Sequence, residues 1–264
     1  MLRKVLDTSM TYAKQRTRES RKNKADRKDP VGFLHQDNLI NLPYKNSKIQ
    51  TTKFIKPITR NQKRFVDSIK QNHFTFGIGA AGCGKSLLAL HSAICALNTE
   101  EEQIEKIIYV RANVGCKDEM EVGALPGELE SKVTPLAYPI YDSCREFMNE
   151  VAVKALFEFE KIEVLPVSFL RGRSFAKTFV IVDEAQNLTK AGFTTVLTRR
   201  SHNSKMVLVG DPQQSDISSN TNIFQRIGIT LSELDGIGLV EFGQEDIVRD
   251  ELIFPILERL KNIY

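Results

Sequence analysis

The 264-residue sequence has no apolar run approaching the ~20 residues that a membrane-spanning helix needs. Its opening stretch, MLRKVLDTSMTYAKQRTRES, carries basic residues but no continuous apolar segment and no small-residue cleavage site, which argues against a secretory leader. Cysteine is scarce. Cys83, Cys95, Cys116 and Cys144 lie far apart without a CxxC pair, and the four histidines are equally dispersed. Neither a zinc site nor a disulfide framework fits that spacing, and reduced thiols in a cytoplasmic protein do. No internal repeat occurs, and no low-complexity tract beyond a basic N-terminal arm. No membrane partner is expected: 41% hydrophobic and 27% charged residues describe an ordinary water-soluble chain.

Charge is unevenly spread. Residues 1–30 hold ten Lys or Arg against four acids, a local +6 that leaves −2 on the remainder. Such an arm gathers polyanions in a salt-dependent way, so it reads equally as a solvated tail or as a contact for RNA or single-stranded DNA. Residues 1–58 form an extension punctuated by Pro30, Gly32, Pro43 and Pro57, and residues 59–264 form the main domain.

From Thr59 the texture changes. TRNQKRFVDSIKQN reads as a helix with Phe65, Val66 and Ile69 on one side, and LLALHSAICAL as a helix packed on most sides. FTFGIG, EKIIYVRA, IEVLPVSFL, TFVIVDEAQ, KMVLVGDPQQ and GLVEF read as strands. Between Val133 and Val151 apolar residues recur at helical spacing, with Pro139 predicting a kink or a break into two helices. Further helices are expected in KAGFTTVLTRR, NIFQRIGITLSEL and the C-terminal EDIVRDELIFPILERLKNIY. Continuous apolar strands separated by helices predict an α/β fold, a mostly parallel sheet covered on both faces.

GAAGCGKS, Gly79 to Ser86, satisfies GxxxxGK[ST] between a strand and a helix. Glycines allow consecutive backbone N–H groups to turn inward at a helix N-terminus and cradle an anion. Lys85 then faces the β and γ phosphates of ATP, and the Ser86 hydroxyl ligates Mg²⁺. The strand TFVIVDEAQ runs out at Asp183, whose carboxylate at the same sheet edge can hold the Mg²⁺ through water. Glu184, one residue on, is free to polarise a water aimed at the γ phosphate. KMVLVGDPQQ repeats the device with Gln214, read either as a γ-phosphate sensor or as an ordinary Gly-Asp-Pro turn.

GIGAAGCGKS, RANVG with LPGELESKVTPLAYPIYD, EVLPVSFLRGRSFAKTFVIVDEAQN, VLVGDPQQSD and EDIVRDELI, in that order over residues 60–264, resemble the PhoH family of ATPases. The resemblance implies a RecA-like P-loop NTPase related to superfamily-one helicases, whose GDxxQ motif falls on Gly210, Asp211 and Gln214. It implies a nucleotide-binding set of Gly79, Ala80, Ala81, Gly82, Cys83, Gly84, Lys85, Ser86 and Leu87. Gln62 corresponds to an adenine-contacting glutamine. Many relatives carry an RNA-binding KH or a PIN nuclease domain; neither pattern is seen here, so the resemblance does not carry a nuclease activity over to this chain. Phosphoryl transfer also gains from an arginine. Arg111, Arg171, Arg173, Arg199, Arg200 and Arg249 are candidates, and the family blocks favour Arg249 and Arg171. One phosphate loop with space for one lobe implies a homo-oligomer, a ring, in which a neighbour completes the site.

These readings predict Mg²⁺-dependent ATP hydrolysis coupled to RNA or DNA binding or remodelling. Two alternatives stand beside it: a nucleotide-gated binding scaffold, and a small-molecule kinase, against which Glu184 argues because it points to water as the acceptor.

Overall fold

Runs of β-branched and aromatic residues become the strands β1 (Phe74–Ile78), β2 (Lys106–Arg111), β3 (Ile162–Leu165), β4 (Thr178–Asp183), β5 (Lys205–Gly210) and β6 (Ile237–Glu241) of a computed structural model. The structure describes residues 49–112, 129–215, 223–248 and 259. Contacts divide the chain into Met1–Asn41 and Leu42–Tyr264, and every described residue lies in the second unit. The basic arm, residues 113–128, Arg249 and nearly all of the C-terminal segment lie outside the described residues.

The six strands form one sheet in the order β3-β2-β4-β5-β1-β6, with every pairing parallel. All strands therefore end at the same edge, where Ile78 stands opposite Gly210 and Glu241, and Arg111 opposite Asp183. Strand alternation sends Phe76, Ile108, Val110, Val180, Val182 and Leu208 into one core cluster, sealed by Phe193 and Phe224 stacked 5.9 Å apart. Each such fully buried side chain contributes about 1.5–3 kcal/mol.

Helix α1 (Arg60–Gln71) lies against β1 and β6, while α2 (Lys85–Leu97) crosses β4, β5 and β2. Helices α3 (Leu129–Arg145) and α4 (Glu150–Glu158) adjoin β3. α5 (Lys190–Leu197) and α6 (Ile223–Leu231) follow among the described residues, their Phe193 and Phe224 closing the core cluster. Side-chain oxygens start three of them: Thr59 caps α1 through a capping box with Gln62, Asn149 caps α4, and Thr189 caps α5.

One strand is shorter than its sequence suggests, and one helix break falls elsewhere. IEVLPVSFL is a strand only to Leu165; Pro166 has no N–H for the ladder, and Val167–Leu170 turn into a 3₁₀ helix. Pro139 does not divide its helix either. α3 runs through it to Arg145, and the break falls where Asn149 opens α4 by accepting from the Ala152 N–H at 2.8 Å. The N–H that Pro139 lacks would have been aimed at a single carbonyl, and the Pro139 carbonyl is taken up by the Ser143 hydroxyl at 2.7 Å.

The turn after β6 is fastened to the start of α1 through Asp246, which is fully buried. Its carboxylate accepts from the Thr59 hydroxyl, from Asn61 Nδ2 at 2.8 Å and from the Gly243 N–H at 2.8 Å. Burial pushes this carboxyl up, but those donors outweigh burial and hold it below the ordinary carboxylate range. A carboxyl depressed in the folded state stabilises the fold fully above its unfolded pKa, and that contribution is lost as pH falls through the lower folded value. Asp246→Asn is expected to cost roughly 1.5–3 kcal/mol near neutrality and to flatten the acid limb of the stability–pH curve. Urea unfolding of both proteins from neutral pH down to about pH 3 measures the effect.

Candidate functional site

The loop between β1 and α2 has the shape its glycines allow. Gly84, the N-cap of α2, sits at φ 74° in the left-handed region, and no side chain caps this helix. Its first N–H groups remain available to an anion. Lys85 is 7% exposed, and Nζ donates to the Gly79 and Ala80 carbonyls at 2.7 Å each. Burial lowers the pKa of this ammonium, with Cys83, Asp211, Asp183 and Glu184 acting in the opposite direction. The ammonium is thus a desolvated cation satisfied by two neutral carbonyls. Cys83, in the same loop, is wholly buried, and burial raises its thiol pKa.

Ser86 and Asp183 meet: the Ser86 hydroxyl donates to Asp183 Oδ1 at 2.9 Å. The Glu184 N–H donates to the same oxygen at 3.0 Å, and the Tyr109 hydroxyl to Oδ2 at 2.5 Å. Burial, then the neighbouring Asp183 charge, pushes the Tyr109 phenol far up, so it remains a donor. This donor set fits magnesium, which takes one or two protein oxygens and completes its shell with water and phosphate. Among the described residues no cluster of three or more His, Cys, Asp or Glu suits an all-protein metal cage.

Glu184 itself is left-handed, at φ 55° and ψ 37°. Its Oε2 accepts from Gln186 Nε2 at 2.8 Å, and Arg111 stands 3.8 Å from Oε1. Gln186, 2% exposed, turns its carbonyl oxygen to the Asp211 N–H at 3.0 Å. Asp211 Oδ2 in turn accepts from the Ala81 N–H of the phosphate loop at 3.3 Å. A chain of hydrogen bonds thus joins the second carboxylate to the loop. Gly210 is required for it, because a Cβ there would collide with the Gln186 side chain and come within 3.0 Å of its backbone nitrogen.

Gln214 ends the 3₁₀ turn Pro212–Gln214, with its N–H on the Asp211 carbonyl and its side chain exposed. Gln62, 4% exposed, accepts from the Ile58 N–H at 2.7 Å and donates to the Cys83 carbonyl at 3.2 Å. It therefore braces the loop against α1. TRNQ at 59–62 is itself a capping-box pattern, the signal that reveals this bracing role. The loop is also held from the C-terminal side, where the Val248 N–H reaches the Gly82 carbonyl at 3.1 Å.

Of the arginines, Arg111 is the described one in contact with the acid pair. Arg171 is exposed after edge strand β3, four strands from β1, and Arg173 makes a fork of 2.9 and 3.1 Å with Glu163. Arg199 bonds the Thr195 and Arg173 carbonyls, and Arg200 lies over the Phe74 ring, where β1 begins, away from the phosphate loop. Arg249 falls outside the described residues. Tyr109 and Gln186 are site members to which the sequence reading assigned no role, and Asp211, read there only as part of the GDxxQ motif, joins them through Gln186 and the Ala81 N–H.

A phosphate loop on β1, an acid pair on β4 and a strand interposed between them in a parallel sheet define a RecA-like P-loop ATPase fold, with loop and acids together at the sheet's C-terminal edge. The chain belongs to the PhoH-like protein family, whose profile matches residues 54–261. It is 37% identical over 207 residues to the PhoH-like protein of Mycobacterium tuberculosis (strain ATCC 25618 / H37Rv), covering 78% of this chain and 58% of that one. The PhoH-like protein of Bacillus subtilis (strain 168) is also 37% identical over 207 residues, covering 78% and 64%. Protein PhoH of Escherichia coli (strain K12) is 31% identical over 198 residues, covering 72% and 54%. The chain thus spans little more than half the length of most of these curated relatives. Among solved structures, the large terminase of a thermophilic bacteriophage aligns with a TM-score of 0.47 at 10% identity, covering 78% of this chain and 50% of that one. No described helix is long and apolar enough to cross a membrane.

Proposed function

We propose that this protein hydrolyses ATP with magnesium and couples turnover to binding or remodelling RNA or single-stranded DNA. The observation that carries the reading is Glu184, a carboxylate beside the Ser86–Asp183 pair but outside it, held by Gln186 rather than by the metal pair. The loop N–H groups and Lys85 bind and orient the triphosphate, and Gln62, which braces the loop through the Cys83 carbonyl, is the candidate adenine contact. Magnesium held by Ser86 and Asp183 would neutralise charge on the β and γ phosphates. Glu184 takes a proton from water as its oxygen attacks the γ phosphorus; the bond to the bridging oxygen breaks, leaving ADP, inorganic phosphate and one proton. Gln214, at the exposed tip of its turn, reports γ-phosphate loss to a bound strand.

The arginine that meets the developing charge, worth roughly 10³ to 10⁵ in rate, comes from Arg249 or Arg171, supplied across a homo-oligomeric ring. Its support is that the described residues hold one phosphate loop and one sheet. The test is ATP turnover of the full chain with and without single-stranded RNA and DNA. Stimulation by either is expected; turnover that saturating nucleic acid leaves unchanged removes the coupling. Deleting residues 1–30 is expected to weaken nucleic-acid affinity and flatten its dependence on salt, and an unchanged salt slope rules the arm out as the contact.

A further inference from the structure

We propose that Tyr109 is a positioning residue for the metal-binding carboxylate: its phenol pins Asp183 Oδ2 so that Oδ1 stays turned toward Ser86. The inference rests on the nucleotide-site reading above and adds a residue from a neighbouring strand that no phosphate-loop motif contains.

Register creates the contact. Tyr109 on β2 pairs with Ile181 on β4, so Asp183 is the next side chain along β4 on the same face, within diagonal reach of a long aromatic. Tyr109 is 3% exposed, so its ring is buried while its hydroxyl reaches Asp183. A carboxylate at a strand end rotates readily about its last torsion, which would exchange Oδ1 and Oδ2 or swing both away from Ser86. Three donors oppose that rotation. The Ser86 hydroxyl at 2.9 Å and the Glu184 N–H at 3.0 Å hold Oδ1, while the Tyr109 hydroxyl at 2.5 Å holds Oδ2. Among the described residues only Tyr109 donates a hydrogen bond to Oδ2. With Oδ2 fixed, Oδ1 faces the Ser86 hydroxyl, and the two oxygens that would share a cation are set before it arrives. Removing an outer partner of this kind typically costs about 10- to 100-fold in metal affinity.

The experiment is Tyr109→Phe in the full chain, read by titrating Mn²⁺ into the ADP complex by electron paramagnetic resonance, and by ADP affinity with magnesium and with chelator. Mn²⁺ binding is expected to weaken about 10- to 100-fold, ADP affinity in chelator to match wild type, and half-saturating magnesium for turnover to rise. A phenol that merely fills space would lower all of these together or none. Equal Mn²⁺ affinity in wild type and Tyr109→Phe overturns the role of Tyr109 and leaves the nucleotide site standing. Wild type that binds ADP no better with magnesium than with chelator overturns the site reading as well. An isosteric pair keeps the test decisive if the phenylalanine variant does not fold. With 4-aminophenylalanine at position 109, which retains a donor, binding is expected to match wild type; with 4-methylphenylalanine, which fills the space without one, it is expected to be weak. Equal binding by the two overturns the proposal.

Discussion

Glu184→Gln is expected to lower ATP turnover by about 10²- to 10⁴-fold while leaving ATP bound. The amide has the size of the carboxylate and can still meet Gln186 and Arg111, so the loop, Ser86 and Asp183 keep their places. What disappears is the proton acceptor. The prediction separates hydrolysis from a nucleotide-gated scaffold, in which binding alone does the work and Glu184→Gln leaves function intact. Single-turnover assays with labelled ATP decide it: retained, unhydrolysed ATP supports the acceptor role, and wild-type turnover rejects it.

Lys85→Ala is expected to fail one step earlier, at binding. Removing one partner of a desolvated, hydrogen-bonded charge pair typically costs about 2–5 kcal/mol, or some 30- to 4,000-fold in affinity. The fold should tolerate the change better than it tolerates Asp246→Asn. Burial already disfavours the Lys85 ammonium, and its partners are the Gly79 and Ala80 carbonyls rather than a countercharge. Fluorescent-nucleotide displacement alongside thermal melting separates the two effects. A folded variant that binds ATP normally removes Lys85 from the site.

The parts of this molecule that were legible in sequence are those fixed by local pattern. Five of the six strands were found as read, because a parallel sheet covered on both faces demands continuous apolar runs. The phosphate loop and the Asp183–Glu184 pair were equally plain, since both are contiguous. IEVLPVSFL misled because Val167, Phe169 and Leu170 extend the apolar run past the proline that stops the ladder. The helix break read at Pro139 falls at Asn149 instead, because a helix can lose one hydrogen bond and continue where its neighbours are packed. The relay through Gln186 and the Tyr109 contact were illegible for a different reason. They join residues 25 and 74 positions apart, and strand order and register, not spacing, bring them together.

The left-handed backbone at Glu184 has a consequence for how this protein tolerates change. A non-glycine residue held there sacrifices roughly 1–3 kcal/mol of stability, and glycine or asparagine would adopt the same dihedrals more comfortably. Mutational drift guided by robustness alone would therefore erode the acid at this corner. Screens for heat-hardened variants should enrich replacements at position 184 that fold better and do nothing.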